Sequence, residues 1–304
     1  MNSPRLCRQG RLFITVFSVV SALLLGLGAV PAAHANKVFA SPEAAMREFG
    51  DAVLNDDEAA MKSLLGANFR DLIPPVGAEV RYQFLAAWGS AHAIQPADHR
   101  AYIAVGNDGW TLPIPLVKSA HGWQFDTRAG AEEMRVRRVG RNELAVIQTM
   151  LAIRDAQNEY ALTAHDGSAV LAYAAKLSSS PGKRDGLYWP TRAGEPASPL
   201  GPGFMGAGTR NAGKDGYYGY HYKLLTSQGP HAPGGAFDYV INGKLFGGFA
   251  VIAWPVRYQD TGVMSFMVSH EGQVYERDLG ADGAAKASAM NTFDPGPGWR
   301  KVSP

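Results

Sequence analysis

Cysteine is almost missing from this sequence, Cys7 being the only one in 304 residues. An intrachain disulfide is therefore excluded, and if the first 35 residues are removed, a thiolate nucleophile and any Cys-bearing zinc site go with them. Other signatures are missing too. The histidines His92, His99, His121, His165, His221, His231 and His270 form no His-x-x-x-His pair, so the spacing of a short-range zinc site is lacking and no bound metal is expected. No Gly-x-Ser-x-Gly elbow supports a hydrolase triad, and Ser265 and His270 flank one strand end without forming a catalytic pattern. The glycines at 201, 203, 206 and 208 are not followed by Lys-Ser or Lys-Thr, so no phosphate-cradling loop and no nucleotide cofactor is read here. Ser178, Ser179 and Ser180 before Pro181 resemble a helix end rather than a nucleophile–lysine pair.

Charge of one sign is also in short supply. Arg5, Arg8 and Arg11 account for all the charge of residues 1–35, and the remainder carries 26 basic against 27 acidic side chains. A near-neutral body without a long basic stripe excludes nucleic acid as the main partner.

One long hydrophobic run is present, at residues 12–30, behind the three arginines and ahead of Ala33-His34-Ala35. A basic start, an apolar middle and a small-x-small end make the pattern of a secretory signal cleaved after Ala35. The alternative is an uncleaved anchor, since the run approaches the length of a membrane span. Pro31 favours cleavage, because it breaks the helix ahead of the site. Cys7 precedes the apolar run, so the lipoprotein pattern is absent, and Thr15 stands where a pilin leader would need Glu. The expected location is the periplasm or outside the cell, with membrane contact only through the leader if it is retained.

The rest reads as an α+β chain, helices packed on antiparallel sheets, in two regions at 36–128 and 129–304. Ser41-Pro42-Glu43 starts a helix, because Ser caps free amides, Pro fits the first turn and Glu suits its positive end. A second start lies at Asp57-Glu58, and residues 82–88 read as a further helical piece. Residues 101–105, 111–117 and 123–126 read as strands. Glu132, Glu133, Arg135, Arg137, Arg138 and Arg141 form a mixed charge cluster, read as salt bridges over a surface or junction and not as a site. Asn142 is the expected cap of a long helix reaching about Leu162, with Val146, Ile147, Met150, Ile153, Ala156 and Tyr160 buried. A short helix is expected at 169–175. Residues 182–235, rich in Gly, Pro and aromatics, read as ordered coil. A sheet follows at 237–241, 249–254, 263–268 and 274–277, with tight turns at Asn242-Gly243 and His270-Glu271-Gly272.

Within the coil-rich stretch, Tyr218, Tyr220, Tyr222 and Leu224 alternate with Gly219, His221 and Lys223, giving a strand with one aromatic face. Two readings follow: a core face beneath the long helix, or an exposed platform beside Trp189. The candidate recognition surface comprises Asp185, Tyr188, Trp189, Asp215, Tyr218, Tyr220, His221 and Tyr222. Asp185 or Asp215 in an aromatic groove would suit a sugar, and each would equally close a turn.

The strings Trp123-Gln124-Phe125-Asp126-Thr127, Arg138-Val139-Gly140-Arg141-Asn142-Glu143-Leu144, Asp185-Gly186-Leu187-Tyr188-Trp189-Pro190, Gly219-Tyr220-His221-Tyr222-Lys223-Leu224-Leu225 and Gly247-Gly248-Phe249-Ala250 resemble the bacterial family known as domain of unknown function 2950, from about Phe39 onward. The resemblance implies an envelope or secreted protein of unassigned activity. Ala156-Gln157 with Tyr160 on the long helix, then Gly219-Tyr220-His221-Tyr222-Lys223-Leu224, Ala253-Trp254-Pro255, Gly262-Val263-Met264-Ser265-Phe266 and Gly272-Gln273-Val274-Tyr275, are also similar to the soluble heads of pilin-like and pseudopilin-like proteins, but an extra region, not an apolar stem, precedes that helix. The functional expectation is a non-enzymatic structural or interaction protein contacting an envelope protein or glycan. The alternative is an envelope enzyme or binding module acting on wall or polysaccharide glycans through carboxylates.

Overall fold

The computed structural model describes residues 36–302 except 166, 168, 193 and 203–215. Asn36 to Pro304 fall in one compact unit, and its described part is an α+β fold with six helices.

The chain opens with α1 (Pro42–Leu54), whose N-cap Ser41 accepts from the Ala44 amide at 3.2 Å and whose first residue is proline. Asp57 caps α2 (Glu58–Leu65) in the same way, accepting from Ala60 at 2.9 Å. Two further helices, α3 (Phe69–Leu72) and α4 (Ala78–Ser90), lead into the antiparallel sheet β1 (His92–Ala97), β2 (Arg100–Val105), β3 (Leu116–Ser119) and β4 (Gly122–Phe125), in that order. Phe49, Leu64, Phe69, Ile103, Ile114, Leu116 and Phe125 form its core, and the Phe49 ring lies 5.7 Å from Phe125 and 6.3 Å from Trp88. Two readings are corrected here. Residues 111–117 are strand only from Leu116, Thr111 holding an isolated bridge to Ala104. The first strand was not anticipated, because five of its six residues are exposed and show no alternation.

The largest correction concerns α5 (Thr127–Tyr160), a 34-residue helix about 51 Å long at 1.5 Å per residue. Its cap is Asp126, which accepts from the Ala129 amide at 2.9 Å, not Asn142. The charge cluster is thus the helix's own first half, with Glu132–Arg135 and Glu133–Arg137 ion pairs one turn apart. Gly130 sits where a Cβ would come within 2.8 Å of the Ile114 side chain, so only glycine lets the helix lie this close to the first core. The boundary read at residues 128 and 129 falls in the first turn of this helix. Its second half carries Val146, Ile147, Met150, Ile153, Ala156 and Tyr160 on one buried face, as the spacing predicts.

That face covers an antiparallel sheet of order β16-β14-β13-β12-β7, made of β7 (Tyr220–Leu225), β12 (Ala250–Pro255), β13 (Met264–Ser269), β14 (Val274–Asp278) and β16 (Arg300–Lys301). Before it come the short parallel pair β5 (Lys176–Ser178) and β6 (Gly186–Tyr188). Residues 169–175 form no helix; they run as coil, with Tyr173 bridged to Leu245. The three serines lie at a strand end and turn, not at a helix end. Strands β8 (Ser227–Gln228), β9 (Phe237–Asp238) and β15 (Thr292–Phe293) make a small sheet, while β10 (Val240–Ile241) and β11 (Lys244–Leu245) form a hairpin. Asn242 and Gly243 supply that hairpin's turn with φ of 51° and 77°.

The second face of the five-stranded sheet is also covered. Ala250, Ile252, Trp254, Met267 and Tyr275 pack there with Ala287 of α6 (Gly283–Ala289). Lys223 on this side of β7 donates to Ser288 O and Met290 O, both at 2.7 Å, closing the end of α6.

The tyrosine strand is mainly core. Tyr220 is fully buried and donates to Met264 O at 2.9 Å, and Tyr222 lies partly buried against the same cluster. Burial, aided by the Glu143 carboxylate, pushes the Tyr220 phenol far above its ordinary pKa. Tyr218 departs from the alternation: with φ of 51° it lies outside the strand and half exposed. Gly262 faces the Tyr220 ring so closely that a Cβ there would fall 1.9 Å from the hydroxyl. Truncating a buried aromatic costs about 3–5 kcal/mol, and each kcal/mol moves Tm by about 2–4 °C in a chain of this size. Tyr220→Ala should therefore lower Tm by about 10 °C in a thermal melt, and an unchanged melt would refute the core role of Tyr220.

Candidate ligand-binding groove

The residues singled out from sequence do not converge on one surface. Tyr188 and Trp189 are 5% and 6% exposed and belong, with Tyr220, to the core beneath α5. His221 turns to the opposite face, its ring 5.6 Å from Trp254, and partial burial lowers its pKa. Tyr218 packs edge-on to Tyr217 at 4.5 Å and is the exposed member of the set. Asp215 lies outside the described residues.

Asp185 is the one with polar chemistry around it. Its carboxylate accepts from Lys176 Nζ at 2.8 Å, from the Ser180 amide at 2.7 Å and from Ser180 Oγ at 3.0 Å. Burial opposes its ionisation, but the lysine and serine donors outweigh it and hold the carboxyl at about 2, below the usual 3.8. A lysine beside a serine suggests a nucleophile, but the bonding runs the wrong way. Lys176 donates to Ser180 Oγ at 2.6 Å, and the serine proton points to Asp185. Asp185 takes that proton only as a hydrogen bond, because a carboxyl held at about 2 is too weak a base to remove it, and Lys176 occupies the oxygen that would attack. This cluster closes a turn.

The histidines are dispersed. His165 stacks on Tyr160 at 3.8 Å and His92 on Trp88 at 4.6 Å. His231 pairs with Asp294 at 3.0 Å, and His270 rests among Tyr239 and Phe249. Among the described residues, no three His, Cys, Asp or Glu side chains are grouped to hold a metal ion. None of the described helices is long and apolar enough to cross a membrane.

A concave site lies elsewhere, in a groove of about 860 Å³ between α3, residues 109–113 and the first half of α5. Ala131, Met134, Arg138 and Arg141 line it from α5, at the three- and four-residue steps of one helix face. Leu72, Pro74 and Pro113 add apolar wall, and Trp110, 44% exposed, supplies the aromatic face. The tryptophan is braced from behind, its ring edge-on to Phe84 at 6.4 Å. Its loop is tied down at both ends: Asn107 donates to Ser90 Oγ at 2.9 Å, and Arg137 donates to Thr111 O and Thr111 Oγ1 at 2.7 and 3.0 Å. Arg138 is held by Asp260. Sequence reasoning passed over this groove because its arginines were read only as ion-pair formers. The overlooked signal was an arginine row stepping three and four residues on from Met134, with more positive groups than nearby acids to satisfy them.

The family model described as "Protein of unknown function (DUF2950)" matches residues 36–302. The chain belongs to this family. The match takes in both large sheets, the whole of α5 and every residue of the groove, so in this DUF2950 chain the groove is part of the family region and not an addition to it. No curated protein and no solved structure matches the chain.

The Asp185 cluster yields a pH signature. A carboxyl depressed in the folded state stabilises the fold above its unfolded pKa, and that stabilisation fades as pH falls through the folded value. The stability gap between wild type and Asp185→Asn should stay constant above pH 3.8 and close towards about 2, read by urea unfolding across that range. A gap that does not narrow over this window would show that the carboxylate charge is not what holds the turn.

Proposed function

We propose that this DUF2950 chain is an exported, non-enzymatic binding protein of the bacterial envelope, with the groove beside α5 as its contact surface. The observation that carries the reading is the groove itself, where an exposed indole and an arginine row share one concave wall braced by fixed neighbours. A braced indole suits recognition, because little of its freedom is lost when a ligand arrives, and guanidinium groups beside it supply polar contacts. Hydrolysis through paired carboxylates would need two acids converging on one bond. Asp185 is engaged by Lys176 and Ser180, and Asp71 is the one acid lining the groove.

Export rests on the leader pattern and on the family match beginning at Asn36, immediately after Ala35. The partner is an envelope protein or glycan in the periplasm or outside the cell. The helix-on-sheet half is pilin-head-like in layout on this reading, without a place in a filament.

Two measurements test the proposal. The chain recovered from periplasm or medium should begin at Asn36 by intact mass, and a membrane-bound chain beginning at Met1 would overturn export. A photo-crosslinking amino acid in place of the exposed groove residue Ala131, with Trp110 left intact, should capture an envelope component in cells, while the same group in place of the exposed Leu144 should not. Equal yields at the two positions would remove the groove as the contact surface.

A further inference from the structure

Arginine in the groove is not uniformly available. Arg137 donates to Glu133 Oε1, Thr111 O and Thr111 Oγ1, and Arg138 is bound to Asp260 O and its carboxylate. Both are locked and largely neutralised. Arg141, three residues beyond Arg138 on the same helix face, has no hydrogen bond or ion pair with any described residue and is exposed. Glu133 and Asp260 are already engaged, and Asp71 sits on the rim. Arg141 is therefore the groove guanidinium left without a hydrogen-bond or ion-pair partner, and it can meet one carboxylate of one bound unit.

The groove's backbone is equally committed. Trp110 O accepts from Val105 N at 3.0 Å, Leu112 N donates to Ile103 O at 2.8 Å, and Thr111 O is taken by Arg137. An extended peptide adding itself to a sheet needs free main-chain donors and acceptors along an edge, and these carbonyls and amides do not provide it. What remains for a ligand is a tryptophan face, a small apolar wall of Leu72, Pro74 and Met134, and one guanidinium. A guanidinium binds a carboxylate through two parallel N–H···O bonds, and an indole face takes a flat, weakly apolar ring.

We propose that this groove binds a sugar acid, an acidic saccharide carrying one carboxylate on each ring, with the C–H face of one unit on Trp110 and its carboxylate on Arg141. This deepens the proposed binding function and rests on it.

Tetragalacturonate is the probe, followed by titration calorimetry and by tryptophan fluorescence, with maltotetraose as the neutral sugar and tetraglutamate as the acidic peptide. Tetragalacturonate should bind and perturb the fluorescence, with both other probes at least tenfold weaker. Losing a charge-assisted bidentate contact weakens binding by about ten- to a hundredfold, so Arg141→Ala should show that loss and Arg141→Lys an intermediate one. Trp110→Ala should lose binding and the fluorescence response with an unchanged circular dichroism spectrum; both altered side chains are exposed, so the fold should hold. Tetragalacturonate that fails to bind, binds no better than tetraglutamate, or binds Arg141→Ala as well as wild type overturns the proposal. If it fails while crosslinking at position 131 still captures a partner, the sugar-acid assignment falls alone; if both fail, the binding function falls with it.

Discussion

Most of this structure depends on one polar grip in the middle of α5. Glu143 Oε1 accepts the amides of Val263 and Met264 at 2.8 and 2.9 Å, and Asn142 donates to Thr261 O at 2.8 Å. One turn earlier Arg138 holds Asp260, and Arg135 donates to the Gln259 carbonyl. The segment from Arg257 to Met264 links the two central strands of the five-stranded sheet. Fastening it to the helix fixes how the helix's apolar face meets that sheet, and a carboxylate accepting two backbone amides does so with charge-assisted bonds. Tyr220 reports the same geometry from below, its hydroxyl 2.9 Å from Met264 O and 3.5 Å from Glu143.

This grip explains which parts of the fold were legible in the sequence. Local devices read correctly: Ser41 and Asp57 as caps, Asn242-Gly243 as a tight turn, and the buried stripe from Val146 to Tyr160. The first half of α5 did not, because its stability is not written as an apolar stripe. Residues 128–142 are held helical by ion pairs along the helix and by reaching a loop more than a hundred residues away in sequence, as the Asn142 contact with Thr261 shows. Residues 169–175 failed for the converse reason. Their apolar residues suit a helix, but the backbone is drawn instead to Leu245, a long-range pairing that overrides local propensity.

The site was less legible than the fold for a related reason. A tyrosine strand draws attention in a sequence, but aromatics regularly spaced on a strand are well suited to sit under a helix, and Tyr220 does so completely. The exposed aromatic that lines the groove is an isolated tryptophan in a loop with no periodicity to mark it. Its significance comes from what stands opposite, an arginine row that only the extended helix places there. With α5 beginning at Thr127, Met134, Arg138 and Arg141 share a face; a helix beginning at Asn142 gives them no common geometry.

The shared helix also bears on how such a chain can change over evolutionary time. Domains are recombined where few contacts cross the join, usually at an exposed linker. Here the natural-looking seam between the first sheet and the second is a continuous helix, packed by Gly130 on Ile114 at one end and by Met150 and Ile153 on the second core at the other. A crossover at that seam would hand one descendant half a helix and leave the other core uncovered. Exchanging the region of one large sheet without the other would therefore break the helix that covers both cores.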